Sequence, residues 1–473
     1  MLFNSIHFII FFPIVFAIYW LMAPKYRWAV LLVASYYFYL SWSSWFGILL
    51  AGTTLVDYFV AIAISNEENN KVKRRWLLIS LVSNLGCLFS FKYFAFFYNS
   101  SISFLNAVSE QQHDFISRII IPVGLSFYTF QSLSYVMDVY RGKAIPEGNL
   151  GRFGAYVSFF PQLVAGPIER FNHLMPQFYE KHKLTFNKVF SACKIITWGY
   201  FKKMVIADRL AEYVDPVFGN PHQYSGISLL VMGFFFVVQV YCDFSGYSDI
   251  ATGLARLLGF ELMLNWRRPL LSGSLHEFWQ RNHISLTSWF RDYVYISLGG
   301  SRVSPNRHLI NIFLVFVLSG IWHGSNWTFL IWGAMHGLAY IIEFLVRKRM
   351  TGLKKIMGLG WIALILFHTI SLIAFRANSV HELGLIYQKI FSFDWSLWNL
   401  SSELTPIHSL FPLLIVSGLI VFLFLKEGNE EYAWLNKLQG YNAVLKPVFY
   451  LLIVVMIFIL GRFNSNEFIY FHF

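Results

Sequence analysis

Residues 309–345 read LINIFLVFVLSGIWHGSNWTFLIWGAMHGLAYIIEFL: two apolar runs meet at Gly324-Ser325-Asn326, with His323 ending the first and His336 inside the second. A membrane-spanning helix needs about 20 mostly apolar residues, at 1.5 Å each, to cross roughly 30 Å of hydrocarbon. The run before the break, residues 309–322, rises only about 21 Å. His323 is therefore expected inside the bilayer, where an ionisable side chain is costly and signals function. The break returns the chain into the second run. A single straight helix would instead hold the two imidazoles about 20 Å apart on different faces.

The pattern extends along the whole chain. Of 473 residues, 56% are hydrophobic, 13% are charged and 50 are Phe, more apolar material than a soluble core can hide. The runs are continuous rather than alternating, which predicts helices and not a barrel. Spans are expected near 3–22, 28–41, 45–64, 76–98, 118–140, 190–206, 227–242, 309–323, 326–345, 359–376, 407–425 and 445–461. This is an all-α polytopic membrane protein with about 11–12 spans, read as one domain over residues 1–473. The first run has no basic leader or small-residue cleavage pattern and is read as a retained span.

The net charge of +12 sits in short clusters between apolar runs, so it speaks for orientation rather than nucleic-acid binding. Lys71, Lys73, Arg74 and Arg75 form one cluster; Arg347, Lys348, Arg349, Lys354 and Lys355 form another. The positive-inside rule puts both in the cytoplasm and, by counting spans, both termini outside. Lys202 and Lys203 fit this count poorly, at the outer end of their span. Cys87, Cys193 and Cys242 match neither a disulfide framework nor a metal spacing and are read as packing residues. No internal repeat is visible.

Two segments depart from simple spans. Residues 155–169 are too short to cross and contain Pro161, Gly166 and Pro167, which predicts a re-entrant segment buried in protein. Residues 274–298 carry too many charges for a span, yet Trp279, His283, Leu286 and Phe290 form one helical stripe and Glu277 can pair with Arg281. An amphipathic interfacial helix is expected there, with His283 facing inward. Asp243 and Asp249 read as parts of a structural network, Asp249 with Arg256 about 10.5 Å along the same helix face. Glu169 and Arg170 read as an interface pair.

A neutral imidazole can take a proton from an attacking alcohol and return it to a leaving group, which is the work of acyl transfer. The structural alternative is a histidine that hydrogen-bonds between helices; it weighs more for His336 than for His323, and His283 lies between. A proton-relaying transporter is a third reading, and it calls for inverted repeats that this sequence lacks.

Four motifs carry a resemblance: WHGxxWTFxxWGxxHG at 322–337, SLHEFWQRNHISLTSWFRDYVYISLGG at 274–300, CDFSGYSDIA at 242–251 and FFPQLVAGPIER at 159–170. In this order the chain resembles the membrane-bound O-acyltransferase family, and most of all its bacterial branch of alginate and peptidoglycan O-acetylation membrane proteins. The resemblance implies a ring of helices around a thinned central tunnel. It implies His323 as the catalytic residue and His283 as the second essential one; Asn282, His336, Trp322, Asn326 and Asp243 are read beside them as tunnel or supporting residues. That branch usually has Trp before the second histidine, where this chain has Asn282. No cofactor is permanently bound and no metal is implied; the donor is acetyl-CoA or an acyl-carrier thioester.

The partners implied are membrane lipid, a polysaccharide or glycan acceptor, and an extracytoplasmic SGNH-type acetyltransferase, at the bacterial cytoplasmic (inner) membrane. Transfer of D-alanine to teichoic acid is the alternative within the family. The aromatic ending FIYFHF at 468–473 resembles the F-x-Y-x-x-F ending of family members and of their small companion subunits. That marks Tyr470 as an acyl relay or partner contact. On physical grounds alone the ending is equally an aromatic anchor at the headgroups.

Overall fold

The computed structural model describes residues 1–105, 122–349, 357–393, 395, 403, 410–432, 442–463 and 468–469. Tyr470, Lys354, Lys355 and the start of the span expected from 118 lie outside the described residues. The regular secondary structure of the described residues is all helical, with no strand among them. Among the described residues, five helices are long and apolar enough to cross a membrane: Ser44–Asn66, Asn70–Tyr98, Gly226–Leu257, Trp327–Lys348 and Leu359–Arg376. Shorter apolar helices include Ile6–Leu21, whose Ile9, Ile10, Ile14 and Ile18 are exposed, a surface that only lipid or another protein would cover favourably. The chain divides into two compact units, Met1–Ile196 with Ile250–Met263, and Thr197–Asp249 with Leu264–Phe473.

In the first unit, polar groups on spanning helices are satisfied by neighbours rather than by water. Asp57 is fully buried and accepts hydrogen bonds from Ser80 Oγ at 2.6 Å and Asn84 Nδ2 at 2.9 Å. The segment read as re-entrant is a short helix, Leu150–Ser158, followed by irregular buried backbone from Phe159 through Ile168. Non-helical backbone at such depth survives only with protein partners, and here it has them. Phe160 N donates to Ser35 Oγ at 3.0 Å, and Gln162 Nε2 donates to Gln131 Oε1 at 2.8 Å. Glu169 accepts from Met263 N at 2.6 Å and meets His173 Nδ1 at 2.7 Å. The carboxylate beside it raises the half-exposed His173 imidazole above its ordinary pKa.

Along residues 197–298 three expectations differ from the structure. The span expected at 227–242 is the 32-residue helix Gly226–Leu257, so CDFSGYSDIA lies inside a helix. Asp249 does not pair with Arg256. It pairs with Lys202 at 2.8 Å, while Arg256 pairs with Glu261 at 2.7 Å. The cause is a π-helical stretch, Phe201–Ala207. Bonding i to i+5 puts residues five apart on one side, so Lys203 reaches Asp208 at 2.9 Å as well as Asp243 at 2.6 Å. The approach is close because residue 246 is glycine: a Cβ there would lie 2.8 Å from Gly199 O. The lysines that fitted the span count poorly are thus counter-ions, Lys203 of the buried Asp208 and Asp243 and Lys202 of the half-buried Asp249.

The third correction concerns 274–298, which is not one helix. Leu275–Arg281 ends, His283 takes φ 45° and ψ 52°, and Ile284–Trp289 begins a new helix. The stripe residues are nevertheless all buried, and Glu277 pairs with Arg281 at 2.8 Å. Of the cysteines, Cys242 is buried and Cys193 is exposed, so packing accounts for only the first of these.

Candidate active site

His323 is the last residue of helix Pro305–His323, and Gly324 follows in extended conformation. A side chain at 324 would strike the Phe329 ring at 2.1 Å, which explains the glycine after the histidine. Asn326 builds the turn: its Oδ1 accepts from Thr328 N at 3.2 Å and its Nδ2 donates to Asn378 O at 2.7 Å. Trp327–Arg349 then runs back against the incoming helix. The two pack at glycines, since a Cβ on Gly320 would meet Phe329 O at 2.3 Å and one on Gly333 would meet Phe316 O at 2.5 Å. This return brings His336 towards His323, with the Trp332 ring between them at 5.1 Å from His323 and 4.6 Å from His336.

His323 (5% exposed), His336 (1%), His283 (2%) and His368 (3%) all line one chamber of 60 Å³, together with Asn282, Trp266, Trp279, Trp332 and Phe375. His283 is held by its own left-handed backbone and by Asn265, whose Oδ1 lies 3.2 Å from His283 Nδ1 and accepts from Ser285 Oγ at 2.8 Å. Trp322 meets both histidines edge-to-face, its ring 6.1 Å from that of His283 and 5.0 Å from that of His323. His336 Nε2 lies 3.1 Å from Ser371 Oγ, and His368 Nδ1 lies 2.8 Å from Leu364 O. Among the described residues, no cluster of His, Cys, Asp or Glu is arranged to hold a metal ion.

A second cavity, of 620 Å³, abuts this chamber across Trp279, which lines both. Its walls are apolar, with Leu286, Phe290, Ile312 and Phe316, and its polar margin includes His276, Arg291 and Arg347.

The structure therefore gathers His323, His283, His336 and Asn282 around one chamber and sets Trp322 between two of them. Asn326 holds the turn from outside it. Asp243 is also outside, paired with Lys203, and its Oδ2 accepts from Ile469 N at 2.9 Å. The beginning of the aromatic ending is thereby docked. Phe468 is 2% exposed and packs edge-on against Phe244 at 5.4 Å and tilted against Tyr247 at 5.2 Å, and the Phe244 ring lies 4.7 Å from that of His283.

His368 escaped the sequence reading although it sits in the middle of Met357–Arg376; the rule that singled out His323, an ionisable group at membrane depth, applies to it equally. Trp279 falls on the predicted stripe and Trp332 inside the 322–337 motif, but neither reads as a site residue from sequence, because tryptophans are scattered through the apolar runs; Asn265 lies in no motif.

The fold and site are those of a multi-pass membrane protein with four buried imidazoles around one small chamber, and comparison with known proteins gives its family. The sequence model of MBOAT, the membrane-bound O-acyltransferase family, matches residues 147–386. The probable alginate O-acetylase of Pseudomonas aeruginosa is 39% identical over 399 residues, spanning 84% of this chain and 76% of that protein. The peptidoglycan O-acetyltransferase of Helicobacter pylori is 33% identical over 382 residues, 74% of this chain and 71% of its own. The teichoic acid D-alanyltransferase of Streptococcus thermophilus is 29% identical over 243 residues, 48% of this chain. The chain belongs to the membrane-bound O-acyltransferase family and is a multi-pass membrane O-acyltransferase.

Proposed function

We propose that this protein carries acetyl groups from a cytoplasmic thioester, acetyl-CoA or an acyl-carrier thioester, through the bacterial inner membrane to an extracytoplasmic glycan. The observation that carries the reading is the 60 Å³ chamber faced by His323. At roughly 10–15 Å³ per water-sized group it has room for an acetyl group and not for a long acyl chain. The relatives named for alginate and peptidoglycan acetylation also cover far more of the chain than the D-alanyltransferase does.

His323 is the general base. The acceptor hydroxyl attacks the thioester carbonyl carbon and gives its proton to an imidazole nitrogen of His323. The tetrahedral intermediate then collapses, the C–S bond breaks, and the thiolate leaves with that proton. His283, fixed by Asn265, shapes the chamber wall beside Asn282. The donor approaches through the 620 Å³ cavity, whose margin includes Arg347 of the cytoplasmic cluster; both termini face outward. Tyr470 is the acyl relay or the docking contact for an SGNH-type acetyltransferase, and its sequence neighbours Phe468 and Ile469 support this by lying beside the chamber wall.

The test uses the full chain in proteoliposomes with radiolabelled acetyl-CoA outside and alginate oligosaccharide within. Wild-type protein should release CoA, and His323→Ala should lose at least 10²-fold in rate with unchanged insertion. Equal rates would remove His323 as base. Tyr470→Phe keeps the ring and deletes the hydroxyl; full activity would reduce the residue to an anchor.

A further inference from the structure

The chamber holds an inconsistency that the proposed base does not explain. Trp279 and Trp332 are 9% and 4% exposed, and the indole Nε1 of each meets no hydrogen-bond acceptor among the described residues. A buried donor left unpaired costs about 1–3 kcal/mol, and two in one small cavity call for a reason. Both side chains line the 60 Å³ chamber with His323. Their rings are 6.1 Å apart at 72°, and the Trp332 ring is 5.1 Å from that of His323.

Two further chamber atoms also lack partners among the described residues, His336 Nδ1 and His368 Nε2. The hydrogen-bond network assigns their protons. His368 Nδ1 faces Leu364 O and must donate to it, which leaves Nε2 as a lone pair. Ser371 Oγ donates to His368 O at 3.3 Å, so His336 Nε2 donates to Ser371 Oγ and its Nδ1 is likewise a lone pair. Of these four unpartnered groups, two repel negative charge and two attract it. The attractive pair is the indoles.

We propose that the Nε1–H groups of Trp279 and Trp332 are the oxyanion donors of the transfer, holding the acyl carbonyl oxygen as it gains charge. The assignment rests on the acyl-transfer reading above. As the acceptor oxygen bonds to the carbonyl carbon, the carbonyl π pair moves onto oxygen and the acceptor proton goes to His323. The two N–H groups receive that oxygen. When the pair returns to re-form C=O, the C–S bond breaks and the thiolate takes the proton from His323. Preorganised donors in a dry site stabilise such charge at no reorganisation cost. Trp279 also forms the wall towards the 620 Å³ cavity, so a thioester entering from that side presents its carbonyl to this donor first.

The test is CoA release from acetyl-CoA by the full chain in proteoliposomes loaded with alginate oligosaccharide. Trp332→Phe and Trp279→Phe should each lower kcat by about 10²–10³-fold, with KM for acetyl-CoA within threefold. Because Phe also shrinks the ring, each position is also replaced by 3-benzothienylalanine, which keeps the bicyclic shape and puts sulfur in place of N–H. Loss of kcat equal to that of the Phe variant confirms the donors; wild-type kcat in either benzothienylalanine variant overturns that donor. Wild-type protein and His323→Ala run alongside. Activity that depends on His323 but not on the indole N–H groups sinks this proposal alone, whereas a wild-type protein without CoA release sinks the acyl-transfer reading with it.

Discussion

Replacing Lys203 by Met should destabilise the protein more than any neutral packing change at that position. The Lys203 ammonium, 9% exposed, lies 2.6 Å from Asp243 and 2.9 Å from Asp208, whose side chains are 2% and 3% exposed. Methionine fills much of the volume but leaves two carboxylates facing each other without a cation. Removing one partner of a buried pair costs about 3–5 kcal/mol, most of it the penalty of the charge left behind. The logic makes a second demand. Neutralising the carboxylates as well, in Lys203→Met/Asp208→Asn/Asp243→Asn, should recover much of the loss, because amides carry no charge to desolvate. Reversible unfolding in mixed SDS micelles, followed by tryptophan fluorescence, gives the free energies. A loss below about 1 kcal/mol for the single variant, or a triple variant less stable than the single, would refute the claim that charge compensation holds these helices together. Asp243 also accepts from Ile469 N, so the same single variant should show reduced transfer.

Three other outcomes follow from the geometry. Gly333→Ala would drive a methyl to 2.5 Å from Phe316 O between the helices that carry His323 and His336; overpacking should cost about 1–3 kcal/mol and lower kcat, and a fully stable, active variant would mean the helices are not in close contact. His283 occupies left-handed backbone at φ 45°, which costs a residue with a Cβ about 1–2 kcal/mol, so His283→Gly should be more stable than His283→Ala in the same micelles while both transfer poorly; the reverse stability order would contradict the observed backbone. The His173–Glu169 contact raises the imidazole pKa, so its stabilisation is complete below about 6.5 and fades as pH rises through the raised value. His173→Gln should therefore cost more stability at pH 6 than at pH 9, and an equal cost at both would remove the charge from the interaction.

Much of the architecture was legible because hydrocarbon imposes a length and a composition. Spanning helices such as Ser44–Asn66 and Trp327–Arg349 fall within a few residues of their apolar runs, and Pro161, Gly166 and Pro167 gave away the buried irregular segment. The failures share one cause, local geometry set by tertiary contact. The π-helical stretch at Phe201–Ala207 has no sequence signature, so Lys202 and Lys203 looked misplaced when they were counter-ions. The apolar stripe through His283 continues across a left-handed residue that periodicity cannot reveal. At the site, motif and membrane depth pointed to His323 and His283. That Trp279, Trp332 and His368 meet at one small chamber depends on the return at Asn326, which folds distant segments together and which spacing cannot show.

The account stands or falls on what occupies that chamber. A structure of the full chain with an acetonyl thioether analogue of acetyl-CoA is predicted to place the analogue's carbonyl in the 60 Å³ space, its carbon beside His323 and its oxygen between the Trp279 and Trp332 indoles, with the CoA portion in the cavity beyond Trp279. An analogue bound with its carbonyl outside that space, while His323 keeps its present packing, would contradict it.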